Sequence, residues 1–465
     1  MEYQPGEEIL EGEEPFSHII KSQFRSEFCD WCIKKGDPNE EVILKKCTAC
    51  KEVSYCNRDC QRKAFSAYHK QECSKLKTIP SDIDPEIRDM LIFMKRTIKK
   101  VQNGEGVYQL PNGTVRRFEN LIDHKYQNFK GKDVVILFHS PWCQNWFGKG
   151  VAFEYLMTIF GKITINSHGI FSSSLELIGD GLYIGASVLD HSCAPNSIYV
   201  TNGKTISVRA IENIESFSDV RISYIQKYPL FRSQETAENR KKELKDHYHF
   251  DCNCRLCDEE EKYSLKSSVM CPKHEKADRK NGTNDPYPHC VPIKTGKCIK
   301  CGTPVSDDII SKYHSLKASF ANDSLKDTNF IINDTNYANW YLEAVNIFHP
   351  YDSTYFSFAK KCTTTMKIKD HKGQEQSKAF FQQLNVVMIT YIERHFGEFD
   401  PLRAEVYFNC GKNFFNERLG NMKLCSKFLV KAMKVLEVSH GLEHPQFDLV
   451  RQMFRLCIED KVVVH

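Results

Sequence analysis

Seven cysteines and one histidine between positions 29 and 73 are the residues of this chain best suited to bind metal. Their spacing is C-x2-C-x14-C-x2-C-x5-C-x3-C-x8-H-x3-C, and the candidate ligands are Cys29, Cys32, Cys47, Cys50, Cys56, Cys60, His69 and Cys73. Zinc prefers four tetrahedral ligands drawn from thiolate and imidazole, so eight candidates predict two closed sites. Ligands four residues apart share one face of a helix, and we therefore expect a helix over 58–71.

The other cysteines fall into two groups. The chain has 20 cysteines in 465 residues, and eight of them lie between positions 193 and 301. Clustered cysteines in a reducing compartment favour metal binding over disulfides. The scattered ones are instead expected to be buried apolar thiols. These are Cys143, Cys362, Cys410, Cys425 and Cys457.

Composition limits the class of protein. A length of 465 residues predicts two or three domains, and a hydrophobic fraction of 41% supports packed cores rather than disorder. The formal net charge of +4 gives no general argument for binding nucleic acid. We find no apolar run of about 18 residues, and the acidic start has no apolar segment typical of a signal peptide. We therefore predict no membrane partner.

The first cluster resembles a MYND zinc finger, above all in the stretch CTACKEVSYCNRDCQRKAFSAYHKQEC. That family interleaves its ligands. The resemblance implies one zinc site from Cys29, Cys32, Cys56 and Cys60, and a second from Cys47, Cys50, His69 and Cys73. It also implies a surface for proline-rich peptides. A mild excess of basic residues in the finger permits contact with DNA phosphate, although a solvated face is the simpler interpretation.

The region from Gly181 to Asp258 predicts short strands followed by a helix. Runs rich in Val, Ile and Tyr at 197–201, 205–211 and 220–225 are typical of strands. Asn202-Gly203 between two of them predicts a hairpin turn. A helix rich in lysine and glutamate is expected over 233–248.

Three motifs in this region resemble a SET lysine methyltransferase domain. They are Asp190-His191-Ser192-Cys193-Ala194-Pro195-Asn196, the pair Ser223-Tyr224, and the tail Cys252-x-Cys254-x2-Cys257. The resemblance implies a third zinc site, in which Cys193 completes the tail cysteines. The segment 164–167 resembles that family's cofactor-side strand. The order of finger, SET-like motifs and helical region resembles the SET and MYND domain-containing (SMYD) methyltransferases.

This resemblance predicts an α+β protein: a SET β-fold split by a MYND finger, a post-SET zinc site and a C-terminal helical lobe of tetratricopeptide type. Amphipathic patterns support the helical parts. Ile87, Met90, Leu91, Met94 and Ile98 share one helical face. A second helical period is formed by Leu424 or Cys425, Phe428 and Leu429, Ala432 and Met433, and Leu436. The predicted segments are 1–28 (N-terminal part of the SET domain, two strands after a Pro5-Gly6 turn), 29–73 (finger), 74–163 (helical insert), 164–226 (SET core), 227–258 (post-SET zinc tail), 259–305 (polar, cysteine-containing) and 306–465 (helical repeats).

The polar segment offers ligands for a fourth zinc ion. Cys271-x2-His274 and Cys298-x2-Cys301-Gly302 form two candidate knuckles, and His289 and Cys290 are rival ligands. A loop with incidental thiols is the alternative interpretation.

The SMYD resemblance implies S-adenosylmethionine as methyl donor and a protein lysine, on a histone or another protein, as acceptor. Tyr224 is implied at the point of methyl transfer. Asn166, Asp190, His191, Tyr224 and Phe250 are implied at the cofactor, and Tyr248 and Phe250 as walls of the lysine channel. An amine attacks only when neutral, and an apolar channel lowers a lysine pKa from its usual value of about 10.4.

Two departures from the family leave other functions open. The family's Gly-x-Gly strand has no counterpart before the finger, and Asp190 stands where the family has Asn. Asn both donates and accepts hydrogen bonds, whereas an ionised Asp only accepts, and a buried unpaired carboxylate would cost stability. The alternatives are a scaffold that binds little cofactor and a nucleic-acid-binding regulator. We predict a monomer of the cytoplasm and nucleus.

Overall fold

Both helices and strands build the fold, in agreement with the predicted α+β class. The computed structural model describes residues 2–37, 42–80, 82–124, 132–148, 150–172, 176–227, 236–262, 265–274, 287–322, 335–365, 374–415 and 421–462. Two compact units are present. The first comprises 1–191, 196–222 and 244–250, and the second comprises 192–195, 223–243 and 251–465.

The strands are short and lie mostly in the first unit. They are β1 (Glu8–Glu13), β2 (Ser17–Ile20), β3 (Lys45–Lys46), β4 (Ser54–Tyr55), β5 (Val107–Gln109), β6 (Val115–Arg117), β7 (Ser167–Phe171), β8 (Leu177–Leu182), β9 (Asp190–His191), β10 (Ser197–Asn202), β11 (Thr205–Ala210), β12 (Arg221–Ile222), β13 (Ser268–Met270) and β14 (Cys290–Pro292).

The helices occupy both units. They are α1 (Arg58–Ala64), α2 (Lys70–Leu76), α3 (Pro85–Gln102), α4 (Lys132–His139), α5 (Pro141–Phe147), α6 (Phe153–Asn166), α7 (Ala237–Tyr248), α8 (Arg255–Lys262), α9 (Asp307–Asn322), α10 (Thr335–Ile347), α11 (Ser353–Thr365), α12 (Gln374–His395), α13 (Pro401–Phe415), α14 (Met422–Ser439) and α15 (Pro445–Val462). A π-helical segment, Phe65–His69, joins α1 to α2.

Two three-stranded sheets join the start of the chain to its middle. One has the order β1-β11-β10 and the other β2-β8-β7, with antiparallel pairing throughout. The two N-terminal strands therefore do not pair with each other, and each uses a partner beyond the finger. The Pro5-Gly6 turn is confirmed, since Glu7 N–H donates to the Gln4 carbonyl at 3.0 Å. The Asn202-Gly203 turn is confirmed as well, because Asn202 pairs with Thr205 and Gly203 has φ of 58°.

Two predicted strands, at 164–167 and 220–225, have different boundaries in the structure. Thr164 to Asn166 form the last turn of α6, and the strand begins only at Ser167. Strand β12 ends at Ile222, so Ser223 and Tyr224 follow the strand instead of lying in it. The strand at 164–167 was implied by the family resemblance and that at 220–225 by its Val- and Ile-rich composition, and chain context decided otherwise in both places.

Helix α3 is buried more broadly than its pattern predicted. Leu91, Met94 and Ile98 are buried as expected, but Ile87 near its start is 39% exposed. Arg96, a polar position on the predicted pattern, is 2% exposed. The first turn of this helix therefore projects towards solvent, while its middle turns form part of a core shared with α6 and the finger.

Glu13, the last residue of β1, is a buried carboxylate that fixes a neighbouring turn. Its Oε1 accepts from Gly185 N–H at 2.8 Å and its Oε2 from Ala186 N–H at 2.9 Å. Burial raises the pKa of Glu13 to about 7, even though these backbone bonds and Arg116 favour the ionised form. Ionising this residue in the folded state therefore opposes folding.

We expect the Glu13→Gln variant to lose part of the pH dependence of stability. A pKa raised from 4.5 to about 7 stabilises the fold fully below pH 4.5, and this contribution of about 3 kcal/mol is lost as pH rises through 7. Urea unfolding of both proteins at pH 5 and pH 8 measures the difference, and effects of zinc-ligand protonation common to both cancel. Parallel pH dependence in the two proteins would contradict the expectation.

The second unit has a helical core formed by residues of α9 to α15 with β13 and β14. The predicted period in α14 is confirmed at Cys425, Leu429, Ala432 and Leu436, which are buried, whereas Leu424, Phe428 and Met433 are partly buried. All five scattered cysteines are buried as well, and the Sγ atoms of Cys425 and Cys457 lie 2.8 Å apart. Among the described residues, none of the helices has the length and apolarity needed to span a membrane.

Candidate functional site

The finger holds two sets of four ligand atoms, grouped in the interleaved order. Cys29, Cys32, Cys56 and Cys60 form one set, and Cys47, Cys50, His69 and Cys73 form the other. Within each set the donor atoms all lie within 4.8 Å of one another. Helix α1 begins at Arg58 because Asn57 caps it, accepting from Cys60 N–H at 2.8 Å. That cap orients Cys60 towards its set.

The spacing between donors fits a tetrahedral ion. Cys56 Sγ lies 3.6 Å from Cys32 Sγ and 3.5 Å from Cys60 Sγ. In the second set, His69 Nε2 lies 3.4 Å from Cys47 Sγ and 3.7 Å from Cys50 Sγ. Sulfurs bound to zinc at about 2.3 Å in a tetrahedron are roughly 3.8 Å apart. Both sets therefore fit zinc.

Two backbone turns present the paired sulfurs. Ile33 and Lys51, each directly after a C-x2-C pair, have φ of 63° and 62°. Their N–H groups donate to the carbonyls of Cys29 and Cys47 at 2.9 and 2.8 Å. A branched residue such as Ile is strained in this left-handed region, at a cost of about 1–3 kcal/mol. Two sulfurs binding one ion would offset that cost.

A buried ionic network supports the second zinc set, and sequence reasoning missed it. His69 Nδ1–H donates to Glu72 Oε1 at 3.2 Å, which leaves Nε2 facing the sulfurs. Arg96 donates to Glu72 Oε1 at 2.8 Å and to Asp30 Oδ2 at 2.9 Å. These four side chains are at most 2% exposed. The sequence signal that could have indicated this network is the i, i+3 spacing of His69 and Glu72.

The charges in this network are mutually compensated. Burial opposes ionisation of Glu72, but Arg96 and His69 outweigh burial and hold its pKa at about 2. Burial, reinforced by Arg96, lowers the pKa of His18 to about 4, so this histidine is neutral. Its Nε2–H donates to the Asp30 carbonyl at 2.9 Å. Arg96 therefore links α3 to Asp30 and Glu72 of the finger, and Asp30 in turn binds His18 of β2.

A third ligand set lies in the second unit. Cys193, Cys252, Cys254 and Cys257 bring their sulfurs within 4.8 Å of one another, and Cys193 Sγ is 3.9 Å from Cys252 Sγ and 3.5 Å from Cys257 Sγ. Arg240 in α7, fully buried, places its Nη2 3.7 Å from Cys257 Sγ. A guanidinium beside four thiolates offsets part of their negative charge, which suits a zinc site built only of cysteines.

Asp190 and His191 form β9, which runs parallel to β12. Asp190 pairs with Arg221 and His191 with Ile222. Tyr224 follows two residues after Ile222 and begins a 3-10 turn, Tyr224–Lys227. Asp190 is exposed, so its carboxylate does not bear the cost of a buried charge. The His191 ring lies 5.9 Å from that of Phe250, and Tyr248, the last residue of α7, is half-buried.

Asn166 ends α6 with an oriented amide. Its Nδ2 donates to the Ile122 carbonyl at 2.8 Å and to the Lys162 carbonyl at 2.7 Å. Its Oδ1 accepts no hydrogen bond from the described part of the chain. Within that same part, the buried Oγ atoms of Ser167 and Ser223 have no hydrogen-bond partner. Buried polar atoms are nearly always paired, so the Ser167 hydroxyl next to Asn166 suits a bound polar ligand.

Comparison with known protein families identifies the finger. The MYND finger model matches residues 29–73. These are the boundaries set by the first and last of the eight ligands.

Comparison with known proteins identifies relatives over a longer stretch. The chain is 28% identical over 263 residues to histone-lysine N-methyltransferase ASHR1 of Arabidopsis thaliana, covering 55% of this chain and 51% of the relative. It is 28% identical over 270 residues to mouse histone-lysine N-methyltransferase SMYD3, covering 56% and 58%. These two matches thus span little more than half of each relative. A longer match, 23% identical over 449 residues, links it to N-lysine methyltransferase SMYD2 of Gallus gallus, covering 94% and 89%. The MYND finger and these relatives make the chain similar to the SET and MYND domain-containing (SMYD) methyltransferases.

Proposed function

We propose that this chain is an S-adenosylmethionine-dependent protein-lysine N-methyltransferase. The observation that carries the proposal is the parallel pairing of β9 with β12, which sets Asp190 and His191 beside the strand that leads into Tyr224. The relatives named as lysine methyltransferases support the same reaction. A SET β-fold split by the finger is part of this proposal, supported by β1 and β2 pairing with strands beyond it.

Asn166, Ser167, His191 and Phe250 have the chemistry to hold the cofactor. The fixed amide leaves Oδ1 as an acceptor for an ammonium group, and Ser167 Oγ offers a further polar atom. His191 and Phe250, whose rings are 5.9 Å apart, offer flat surfaces of the kind that an adenine ring contacts. The exposed Asp190 carboxylate accepts from donors without paying for burial, so its replacement of Asn is compatible with binding.

The remaining roles concern the lysine. S-adenosylmethionine, when bound, supplies an electrophilic sulfonium methyl group. Tyr224 orients the target amine through its hydroxyl, and Tyr248 and Phe250 line an apolar channel. Exclusion of water by aromatic walls favours the neutral amine, which alone can attack. Fixing the two reacting groups in line contributes about 7–11 kcal/mol to lowering the barrier.

The proposal extends to partners and location. A protein lysine is the substrate, on a histone or another protein, and the finger offers a surface for a proline-rich peptide. A monomer in cytoplasm and nucleus, a helical lobe of tetratricopeptide type and the segment boundaries given above are further parts of the proposal.

Calorimetric titration of S-adenosylmethionine into the zinc-loaded chain tests the cofactor site. We expect binding in the micromolar range, about −8 kcal/mol. Asn166→Ala removes the acceptor and the oriented amide, and we expect at least a tenfold weaker Kd. Asn103→Ala is the matched control, because Asn103 is exposed at the end of α3.

Other results of this titration would contradict parts of the proposal. No heat from the chain, with recovery in Asp190→Asn, would contradict the compatibility of Asp190 with binding. No heat from either protein would overturn the methyltransferase proposal and leave the zinc-built scaffold. Unchanged affinity in Asn166→Ala would remove Asn166 from the cofactor site.

A further inference from the structure

We propose that a fourth zinc ion binds in the second unit, held by Cys271, His274, Cys298 and Cys301. This site lies outside the finger, the Cys193 cluster and the proposed methyl-transfer residues. Its existence is independent of the proposed activity. Four observations carry the inference: the distances between donor atoms, the shape of one backbone turn, the size of the hairpin that carries the ligands, and their burial.

The donor atoms have the spacing of a tetrahedral site. Cys271 Sγ lies 3.7 Å from Cys301 Sγ and 3.7 Å from His274 Nδ1, and His274 Nδ1 lies 3.8 Å from Cys301 Sγ. These three edges match those of the two finger sites, which run from 3.4 to 3.8 Å. Cys271, His274, His289 and Cys301 all have a donor atom within 4.8 Å of the others. Cys298 lies outside that set of four, but its thiol contacts the thiols of both Cys271 and Cys301.

The turn at Cys298-x2-Cys301 repeats the knuckles of the finger. Gly302 has φ of 70°, and its N–H donates to the Cys298 carbonyl at 3.0 Å. Ile33 and Lys51 occupy the same position after their cysteine pairs, with φ of 63° and 62° and the same hydrogen bond. This shared turn directs both sulfurs to one side, so Cys298 and Cys301 are presented as a ligand pair.

The hairpin that carries the ligands is too small to be stable by itself. Strands β13 and β14 have three residues each, and two-stranded hairpins are marginal in water even when longer. Cys271 directly follows β13. The segment with Cys298 is bonded to β14, because the N–H of the next residue, Ile299, donates to the Cys290 carbonyl at 2.9 Å. A zinc ion joining Cys271 to Cys298 and Cys301 would fix this hairpin at the end where its two strands are connected.

The ligand positions lie partly in the helical core. Cys271 is 0% and Cys298 4% exposed, and both belong to the core of the second unit with Val269 and Phe348. Cys301 is exposed. The ion would therefore stand at the edge of this core and fix the hairpin to it. His349 N–H continues the connection by donating to the Ser268 carbonyl at 3.1 Å.

Two histidines compete for the fourth position. His274 Nδ1 lies at ligand spacing from two sulfurs, those of Cys271 and Cys301. His289 Nδ1 lies 3.7 Å from Cys298 Sγ, and the two rings stack at 3.7 Å between centroids. We assign His274 as the ligand and His289 as its stacked neighbour. Cys290 is fully buried, pairs through β14 with Met270, and belongs to none of the ligand sets among the described residues.

Elemental analysis of zinc in the full chain, purified in reducing buffer, tests the site directly. We expect four ions per chain. Cys301→Ser changes an exposed position with little effect on packing, and we expect three ions. Cys362→Ser is the control, because Cys362 is a buried cysteine outside every ligand set, and we expect it to keep four.

The same zinc analysis, applied to variants of each histidine, shows which of the two binds the ion. His274→Asn should hold three ions and His289→Asn four; the reverse pattern would overturn the assignment of His274. Three ions in the unaltered chain would overturn the site itself. Four ions in Cys301→Ser would also overturn it, since the extra ion would then lie elsewhere. The unaltered chain gives its result even if a variant fails to fold.

Discussion

Replacement of Arg96 by methionine should lower the free energy of unfolding by about 3–5 kcal/mol. The guanidinium is the cation shared by Asp30 and Glu72, and all three side chains are at most 2% exposed. Removing it leaves Asp30 without a counter-ion and Glu72 with only His69 as its partner, and such buried charges are costly. Methionine keeps an unbranched apolar chain and a high helix propensity, so lost volume and helix content contribute little. Urea unfolding in zinc-containing buffer measures the change.

Two further variants separate lost charge pairing from lost packing. Arg62→Met removes an arginine whose side chain is 80% exposed and pairs with Asp59 at 3.6 Å, and should change stability by less than about 1 kcal/mol. Adding Asp30→Asn and Glu72→Gln to Arg96→Met removes the two buried carboxylate charges. This triple variant should recover part of the lost free energy of unfolding. A triple variant as unstable as Arg96→Met would attribute the effect to packing and contradict the electrostatic explanation.

The Tyr224→Phe variant should transfer methyl groups at least about 100-fold more slowly while its affinity for S-adenosylmethionine stays within a few-fold. Only the hydroxyl is removed, and the loss of fixed orientation at a reacting atom has effects of this size. The measurement is transfer of a labelled methyl group to core histones and to total cell-lysate proteins, together with calorimetry of cofactor binding.

Tyr155→Phe is the matched control for this substitution. Tyr155 lies on α6, and its hydroxyl has no hydrogen-bond partner in the described residues. We expect its rate to equal that of the unaltered chain. A Tyr224→Phe rate within threefold of that reference would exclude a positioning role for the hydroxyl. Equal losses of rate and cofactor affinity would assign Tyr224 to binding alone.

The candidate zinc-binding sets of the finger were predictable because their chemistry is local and discrete. Eight donors at fixed spacing between positions 29 and 73 admit few arrangements, and the resemblance to a known finger supplied the interleaving. The hairpin at Asn202-Gly203 and the buried period of α14 were predictable for a similar reason, since turn chemistry and helical periodicity act over a few residues.

The errors arose where distant residues decide local structure. Ile165 is β-branched and apolar, which favours a strand, yet α6 continues through Asn166, whose amide bonds to the Ile122 carbonyl. Arg96 is charged and sits within an apolar pattern, and only its contacts with Asp30 and Glu72 explain its burial. In the proposed fourth zinc site, the sequence offers six candidate ligands, and three-dimensional distances were needed to choose among them.

The pairing of β1 with β11 has a consequence for synthesis on the ribosome. Gly12 N–H bonds to Ser207 Oγ, 195 residues further along. At about 5–20 residues per second, the first strand therefore waits roughly 10–40 s for its partner to be translated. The finger, whose ligands all lie within 29–73, can bind zinc during that interval. The nascent chain thus carries a folded metal domain next to an unpaired strand edge, a combination that chaperones would need to shield until β11 emerges.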